Sequence, residues 1–385
     1  MFRNKSFSTS LVLFIFLNIF LYFFMSFSHS WLGVSDQMAY HYHYFDDPRS
    51  TKQPFDLLRG LGVWDAQWYL KIADGGYPIY WTIEYDGYSS YAFFPLYPII
   101  VASLNLVIRN VELSAFIMSN ILLIANFFSL YYVVSKLYSS KIAQKAVWLL
   151  FLFPFSIFYR SYFTEGLFLF LLTWFAYFLI KKQLFIAAIF TSLLFIARPN
   201  GSILGIIFFY HLYKAIRNKE ISLTMASLYV VLILIPYSVW HYLCYINTGD
   251  PFYWYHIQSL WYSSPSIFQT IWNNIMRVLT YWHLPLHESS NSKIDTLMVI
   301  LGGMLLLKSK RFLKPQLWWI SLFIWIFPLL VKDTMSYSRF QSVSFPLFIY
   351  LAYVLKRTHF IIVSIIFFIL LLLTSIFFVN WYWIG

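Results

Sequence analysis

Long apolar runs without charge constrain this chain more than any other feature of its sequence. Residues 11–27 and 360–379 each extend over a bilayer-length stretch without Asp, Glu, Lys or Arg. Over all 385 residues, 60% are hydrophobic and only 11% are charged, which leaves too little polar surface to coat a water-soluble globule. The sequence therefore predicts an all-α polytopic membrane protein.

The first apolar run has two interpretations. Arg3 and Lys5 precede it, as basic residues precede the apolar core of a secretory signal peptide. The run is long, however, and no A-x-A cleavage site follows it. We therefore expect residues 1–28 to remain as an anchor helix.

The net charge of +12 is distributed as the positive-inside rule requires, rather than as a nucleic-acid surface. Short gaps between apolar runs hold 16 of the 27 basic residues and one acid, Glu220. These basic residues are Arg3, Lys5, Lys136, Lys141, Lys145, Lys181, Lys182, Lys214, Arg217, Lys219, Lys308, Lys310, Arg311, Lys314, Lys356 and Arg357. Segment 29–113 has nine acids against five bases, which places it outside the cytoplasm.

Alternation between these two sides predicts about eleven transmembrane helices, with the N-terminus inside and the C-terminus outside. The expected spans are 8–28, 114–136, 146–160, 165–181, 184–197, 201–213, 222–246, 294–308, 317–331, 343–355 and 360–380. The apolar stretch 91–108 does not fit as a twelfth span, because it would put the lysines that follow on the outer side. We expect a short helix that lies against the membrane or dips into it from outside, starting near Pro95 and Pro98.

No repeat or flexible linker divides the chain, so residues 1–385 are expected to form a single membrane domain. Its parts are the anchor helix 1–28, a first external loop 29–113, a helix bundle 114–246, a second external loop 247–293 and C-terminal helices 294–380. The phosphate-binding, dinucleotide-binding, zinc-protease and serine-hydrolase signatures of soluble enzymes are absent from the sequence. Any chemistry must therefore come from the bundle and its external loops.

The first external loop contains an aspartate within an aromatic helix pattern. Leu61, Trp64, Trp68 and Ile72 repeat at helical spacing and predict one apolar stripe on an interfacial helix. Asp65 lies beside this stripe, next to Trp64 and one turn from Tyr69, at the level where lipid-linked substrates present their head groups. The alternative interpretation is that Asp65 is a solvated acid in the first turn of a helix.

Several motifs of this chain resemble, in the same order, those of the PIG-V type GPI mannosyltransferases and their bacterial relatives. They are WDAQWYLKIADGGY (64–77), FFPLYP (93–98), FPFSIFYRSYFTEGLF (153–168), ARPNG (197–201), TGDPFYWYHIQSLW (248–261) and SRFQSVSFPLF (338–348). The resemblance implies the glycosyltransferase C superfamily, whose members use polyprenyl- or dolichyl-phosphate sugars. It also implies that Asp65 matches a catalytic aspartate in the first external loop.

Further candidates lie at the outer ends of the predicted helices. Glu165 is a carboxylate at membrane depth and therefore a functional candidate, although a helix-start acid is the plain alternative. The guanidinium groups of Arg160, Arg198 and Arg339 are suited to holding the phosphate of a lipid carrier. Each arginine alone is equally well explained by a side chain that extends to the lipid head groups.

The second external loop holds polar and aromatic groups that suit sugar hydroxyls and a pyranose face. They are Asp250, His256, Gln258 and Trp261. Loop capping and interfacial anchoring are the alternatives for this set. We assign no metal and no cofactor, because His41 and His43 lack a third ligand at a convincing spacing.

These residues predict an enzyme that transfers a hexose, mannose by resemblance, from a polyprenyl-phosphate sugar to a glycolipid or glycan acceptor. Asp65 would deprotonate the acceptor hydroxyl, while arginines steady the departing phosphate. Inversion at the anomeric centre is implied by the family. A lipid-linked-sugar transporter and a non-catalytic assembly protein are the alternatives. We expect a multi-pass protein of a bacterial cytoplasmic membrane, in contact with membrane lipids and not with nucleic acid, whose site faces outward.

Overall fold

The computed structural model describes residues 5–36, 44–45, 54–79, 89–258, 266–283, 292–331 and 334–384. These residues form α-helices and short 3-10 helices, and no strand occurs among them. The α-helices are α1 (Lys5–Ser28), α2 (Leu57–Leu61), α3 (Ala66–Gly75), α4 (Leu96–Ile108), α5 (Val111–Leu137), α6 (Ser140–Leu152), α7 (Glu165–Ile180), α8 (Leu184–Ala197), α9 (Gly201–Arg217), α10 (Leu223–Thr248), α11 (Tyr253–Ile257), α12 (Ile267–Leu279), α13 (Lys293–Ser309), α14 (Pro315–Val331), α15 (Tyr337–Ser342), α16 (Phe345–Val354) and α17 (Arg357–Val379).

Within the described ranges, four helical segments are long and apolar enough to cross a bilayer, judged by length and composition. They are Phe7–Trp31, Val111–Leu137, Leu223–Thr248 and Arg357–Val379. Shorter apolar helices accompany them, among them α4, α7, α8 and α16. The helical content and the long apolar helices thus confirm the prediction of an all-α, membrane-embedded protein. The count of eleven spans stays a prediction.

Proline shortens the sixth helix relative to the predicted span 146–160. α6 ends at Leu152, and Pro154 opens a separate 3-10 helix, Pro154–Tyr159. Proline has no N–H to donate and its ring clashes with the preceding turn, so the α-helix stops there. The predicted span 343–355 is also longer than the observed helix, because α16 has ten residues.

α4 is short and closely followed by α5. Its 13 residues extend over roughly 20 Å, which is less than the ~30 Å of a bilayer core. Arg109 ends the helix in a left-handed conformation, and the Asn110 side chain accepts a hydrogen bond from Leu113 N at 2.8 Å to start α5. This geometry suits the prediction that 91–108 does not cross the membrane.

The bundle has two chemically different ends. α7 and α8 form a hairpin whose turn carries Lys181 and Lys182, while Glu165 and Arg198 lie at its open end. Basic residues also end α5 and α9 and precede α17. We call this side the basic end; it includes Lys136, Lys181, Lys182, Lys214, Arg217 and Lys356.

Aromatic side chains pack the long helices against one another. Phe14 of α1 stacks on Phe127 of α5 with ring centroids 4.5 Å apart, and its edge contacts Phe151 of α6 at 4.8 Å. α17 covers the 3-10 helix through contacts such as Phe158 with Phe378, at 5.6 Å. The high aromatic content therefore fills the space between helices, as well as facing lipid.

The topology can be tested with introduced cysteines. We expect Ile79→Cys and Arg109→Cys, both at exposed positions, to react with an impermeant thiol reagent from the same, outer side. Lys310→Cys, at the basic end, should react only after the membrane is permeabilised. The native Cys244 is buried and gives little background. Opposite labelling of Ile79→Cys and Arg109→Cys would show that α4 crosses the bilayer.

Candidate active site

Asp65 is held at the start of α3 by an unusual backbone. The preceding residue, Trp64, has φ 58°, a left-handed conformation that costs free energy for a bulky residue. The Asp65 side chain does not cap α3. Instead its Oδ2 accepts a hydrogen bond from Arg339 Nη1 at 3.0 Å, and 20% of the side chain remains exposed. The turn therefore directs this carboxylate away from its own helix.

The predicted apolar stripe around Asp65 is built differently from a single helix. Leu61 belongs to α2 and Trp64 precedes α3, so only Trp68 and Ile72 lie on the third helix. All four side chains are buried in the protein. Trp68 stacks on Phe93 at 5.5 Å, which fixes α3 against the segment leading to α4. Burial against protein, rather than against lipid, thus positions Asp65.

Glu165 is the first residue of α7 and is completely buried. Its Oε1 accepts hydrogen bonds from Arg198 Nη1 at 2.7 Å and from Arg339 Nε at 2.5 Å. Its Oε2 has no hydrogen-bond partner among the described residues. A buried carboxylate is stable only when paired, so Glu165 serves to hold two guanidinium groups.

Arg339 joins the two carboxylates. Burial alone would lower the pKa of this guanidinium, but the carboxylates of Glu165 and Asp65 raise the pKa above its ordinary value. The guanidinium carbon also lies 4.6 Å from the ring centre of Phe163 and 5.1 Å from that of Phe158. These faces favour a cation and keep water from it. Arg339 is therefore a fixed, permanent positive charge.

Two residues that sequence reasoning missed help to position Arg339. The buried Asp295 of α13 accepts hydrogen bonds from Ser338 N at 2.7 Å and Ser338 Oγ at 2.6 Å. Trp383, near the C-terminus, places its ring 6.0 Å from the Arg339 guanidinium and 5.1 Å from the Trp64 ring. An acid inside the predicted span 294–308 was a usable signal for Asp295. Nothing in the local sequence pattern identified Trp383.

Arg198 follows α8 in an extended conformation, in the ARPNG motif. Pro199 prevents continuation of the helix, and Gly201 begins α9. A Cβ at Gly201 would lie 1.9 Å from the Leu194 carbonyl oxygen, so only glycine fits. This tight turn holds Arg198 against Glu165. Arg198 uses Nη1 for that contact, and its remaining N–H groups make no hydrogen bond to the described residues.

The four charged residues form one balanced cluster, which we call the acid–arginine cluster: Asp65, Glu165, Arg198 and Arg339. Two carboxylates face two guanidinium groups, so the cluster is formally neutral. Asp65 is its accessible member, and its Oδ1 has no partner in the described part of the chain. The arrangement thus offers one reachable carboxylate oxygen beside buried cations.

Arg160 lies elsewhere. Its Nε donates to Asn18 Oδ1 at 2.7 Å, halfway along α1, and its Nη1 donates to the Ser156 carbonyl at 2.9 Å. Nη2 reaches the Phe151 carbonyl at 3.4 Å. The Phe151 carbonyl lies in the last turn of α6, where backbone oxygens have no helical N–H partner, and both Arg160 and Ser156 Oγ donate to it. The structure therefore places Arg160 outside the acid–arginine cluster.

Tyr69 lies one turn after Asp65 on α3, is buried, and lies edge-on to the rings of Phe93 and Tyr97, at 5.2 and 5.6 Å. Burial raises the pKa of Tyr69 to about 12, so its phenol is neutral at physiological pH. It supports the wall of the site as an uncharged group.

The segment predicted as the second external loop contributes an ion pair at the surface and a hydrogen bond to another segment. His256 Nδ1 and Asp250 Oδ2 are 2.5 Å apart, with 62% and 34% of their side chains exposed. Gln258 donates to the Ala92 carbonyl at 2.8 Å and so links α11 to the segment before α4. Trp261 lies outside the described residues, as do His41 and His43.

Scans against family models, a search of curated proteins and a search of solved structures found no match to this chain. The resemblance of its motifs therefore remains an expectation from the sequence, and the function must be argued from the geometry.

The Gly201 turn gives a test of the way in which Arg198 is positioned. We expect Gly201→Ala to destabilise the protein by about 1–3 kcal/mol, because the added methyl group clashes with the Leu194 carbonyl. Gly75→Ala is the matched control, since nothing lies within 4 Å of that Cβ. Thermal unfolding in detergent measures both. Equal midpoints for the two variants would contradict the structure of this turn.

Removal of the buried Glu165 carboxylate should strongly destabilise the protein. Glu165→Gln leaves two guanidinium groups without their shared carboxylate, and we expect a loss of about 3–5 kcal/mol in stability. Glu165→Gln/Arg198→Gln should recover part of that loss, because one cation leaves with the anion. Glu220→Gln, which breaks an exposed pair with Lys182, should hardly change the unfolding midpoint. If Glu165→Gln behaved like Glu220→Gln, the cluster would not be structural.

Proposed function

We propose that this protein transfers a hexose from a polyprenyl-phosphate sugar to a glycolipid or glycan acceptor, with Asp65 as the general base. One observation carries the proposal: four charged residues from distant segments meet at the end opposite the basic end, and among them only the Asp65 carboxylate is partly exposed. Buried charges in a membrane bundle are costly, so their assembly around one open carboxylate supports a functional site.

The reaction needs a base near the acceptor and positive charge near the phosphate. Asp65 Oδ1 would take the acceptor proton while the acceptor oxygen bonds to the anomeric carbon. The bond between that carbon and the phosphate oxygen would break, and the electron pair would leave with polyprenyl phosphate. Attack opposite the leaving group inverts the anomeric centre. The donor carries its own leaving group, so this scheme assigns no cofactor.

The two arginines have different tasks in this scheme. Arg339 gives two of its nitrogens to Asp65 and Glu165, which fixes the orientation of the base. Arg198 gives one nitrogen to Glu165 and keeps donors for a phosphate oxygen. Glu165 holds both arginines and is too buried to meet a substrate. Arg160, with its donors used inside the protein, has no part in the proposed chemistry.

Mannose is the sugar that the motif resemblance favours. The basic end favours the cytoplasm by the positive-inside rule, so we place Asp65 on the extracytoplasmic face. A bacterial cytoplasmic membrane is the proposed location, where the carrier would be a polyprenyl phosphate. A transporter or an assembly protein would also bind lipid-linked sugars or partners, but neither needs an exposed carboxylate fixed beside a cation.

Asp65→Asn tests the base directly. The amide keeps the size of the side chain but accepts no proton, so we expect sugar transfer to fall by ~10²–10⁴-fold. The unfolding midpoint should fall only modestly, because Glu165 still pairs with Arg339. The purified protein, reconstituted in liposomes, would receive radiolabelled polyprenyl-phosphate hexoses and extracted membrane glycolipids. Product formation measures the rate.

Asp74→Asn is the matched control, because Asp74 is an exposed acid on the same helix. Among the described residues it is hydrogen-bonded only to Tyr44 Oη, at 2.8 Å. It should retain the parent rate. Transfer by Asp65→Asn above about a tenth of the parent rate would overturn the base assignment. Equal transfer from nucleotide sugars would contradict the proposed donor, and no transfer by the parent from any lipid-phosphate hexose would favour the non-enzymatic alternatives.

A further inference from the structure

A second feature lies between the helices toward the basic end, away from the acid–arginine cluster. A shallow, open groove with a volume of about 460 Å³ runs where α5, α7 and α8 meet. Its lining residues are Ala125, Phe128, Ser129, Phe170, Trp174, Phe178, Ile186 and Phe190.

The groove follows one face of α7. Phe170, Trp174 and Phe178 are spaced four residues apart, so they stack along the helix over roughly 12 Å. The two polar groups of the lining, Trp174 Nε1 and Ser129 Oγ, bond to each other at 3.0 Å. The wall therefore favours a hydrocarbon chain over a polar ligand.

The groove points toward two lysines. Tyr132 of α5 and Tyr177 of α7 lie next to the lining residues Trp174 and Phe178, and their ring centroids are 5.8 Å apart. Lys136 Nζ lies 5.8 Å from the Tyr132 ring centre, and Lys181 Nζ lies 5.9 Å from that of Tyr177. Both ammonium groups are thus held beside the same tyrosine pair.

These two lysines are not neutralised by acids within the described residues. The neighbouring Lys182 differs, because it pairs with Glu220 at 3.0 Å. The molecule therefore presents an apolar groove whose open end carries two unpaired positive charges. That combination matches the two parts of a lipid, an acyl chain and an anionic head group.

We propose that this groove binds an acyl chain of an anionic phospholipid, whose phosphate lies between Lys136 and Lys181. The site is separate from the acid–arginine cluster: Glu165, at the first residue of α7, and Lys181, just after its last, are about 24 Å apart along the helix. The proposal does not depend on the glycosyltransferase activity. It assigns the basic end a lipid-recognition role in addition to its role in topology.

Native mass spectrometry of the purified full-length protein tests the proposal, with phosphatidylglycerol and phosphatidylcholine of identical acyl chains as probes. We expect the parent to prefer phosphatidylglycerol by about 10- to 30-fold, the effect of two lysines near a phosphate. Lys136→Gln/Lys181→Gln should lose this preference. Ala125→Phe, which fills the groove, should weaken the binding of both lipids.

Lys214→Gln/Arg217→Gln is the control, because it removes two cations at the same end from α9, a helix that does not line the groove. It should keep the preference of the parent. Both lysine positions are exposed, so the paired glutamine variant should fold normally even where Ala125→Phe does not. Equal binding of the two lipids by the parent would overturn the proposal. So would an unchanged preference in Lys136→Gln/Lys181→Gln.

Discussion

The bridge that Arg339 makes between Asp65 and Glu165 is the interaction on which the rest of the candidate site depends. Arg339 is 274 positions from Asp65 in the chain and 174 positions from Glu165. Its side chain nevertheless bonds to these carboxylates at 3.0 and 2.5 Å. A buried guanidinium without its carboxylates would cost several kcal/mol, so the segment that carries Asp65, the α7–α8 hairpin and α15 must come together in one arrangement. The same ion pairs therefore stabilise the fold and fix the geometry of the site.

The sequence predicted the helices well where a local pattern controls them. Uncharged runs and basic gaps follow directly from the cost of charge in lipid, and they located α1, α5, α8, α10 and α17 closely. The prediction failed where a single residue ends a helix, as Pro154 does. It also failed between Gly62 and Asp65, where α2 has ended and Trp64 takes a left-handed conformation before α3 begins. Neither event leaves a periodic signal.

The candidate site was predictable in its members but not in its connections. Asp65, Glu165, Arg198 and Arg339 were all candidates from the sequence, yet each also had a plain structural explanation. Only contacts between distant segments distinguish Arg198 from Arg160, which has the same side chain and a similar motif context. Arg160 donates to Asn18 and to backbone carbonyls near the end of α6, whereas Arg198 donates to a carboxylate. Such pairings are set by tertiary packing and leave no trace in local composition.

The neutrality of the acid–arginine cluster has a consequence for the way in which it could bind a charged donor. Since its two cations and two anions balance, the cluster produces little long-range attraction for a phosphate. Any affinity must come from short-range hydrogen bonds, and Arg198 is the member with donors to spare. A lipid-linked donor is already confined to the bilayer and needs no electrostatic steering from solution. Local donors beside one exposed carboxylate are what such a substrate requires, and the strongly basic surface of this protein lies at the other end.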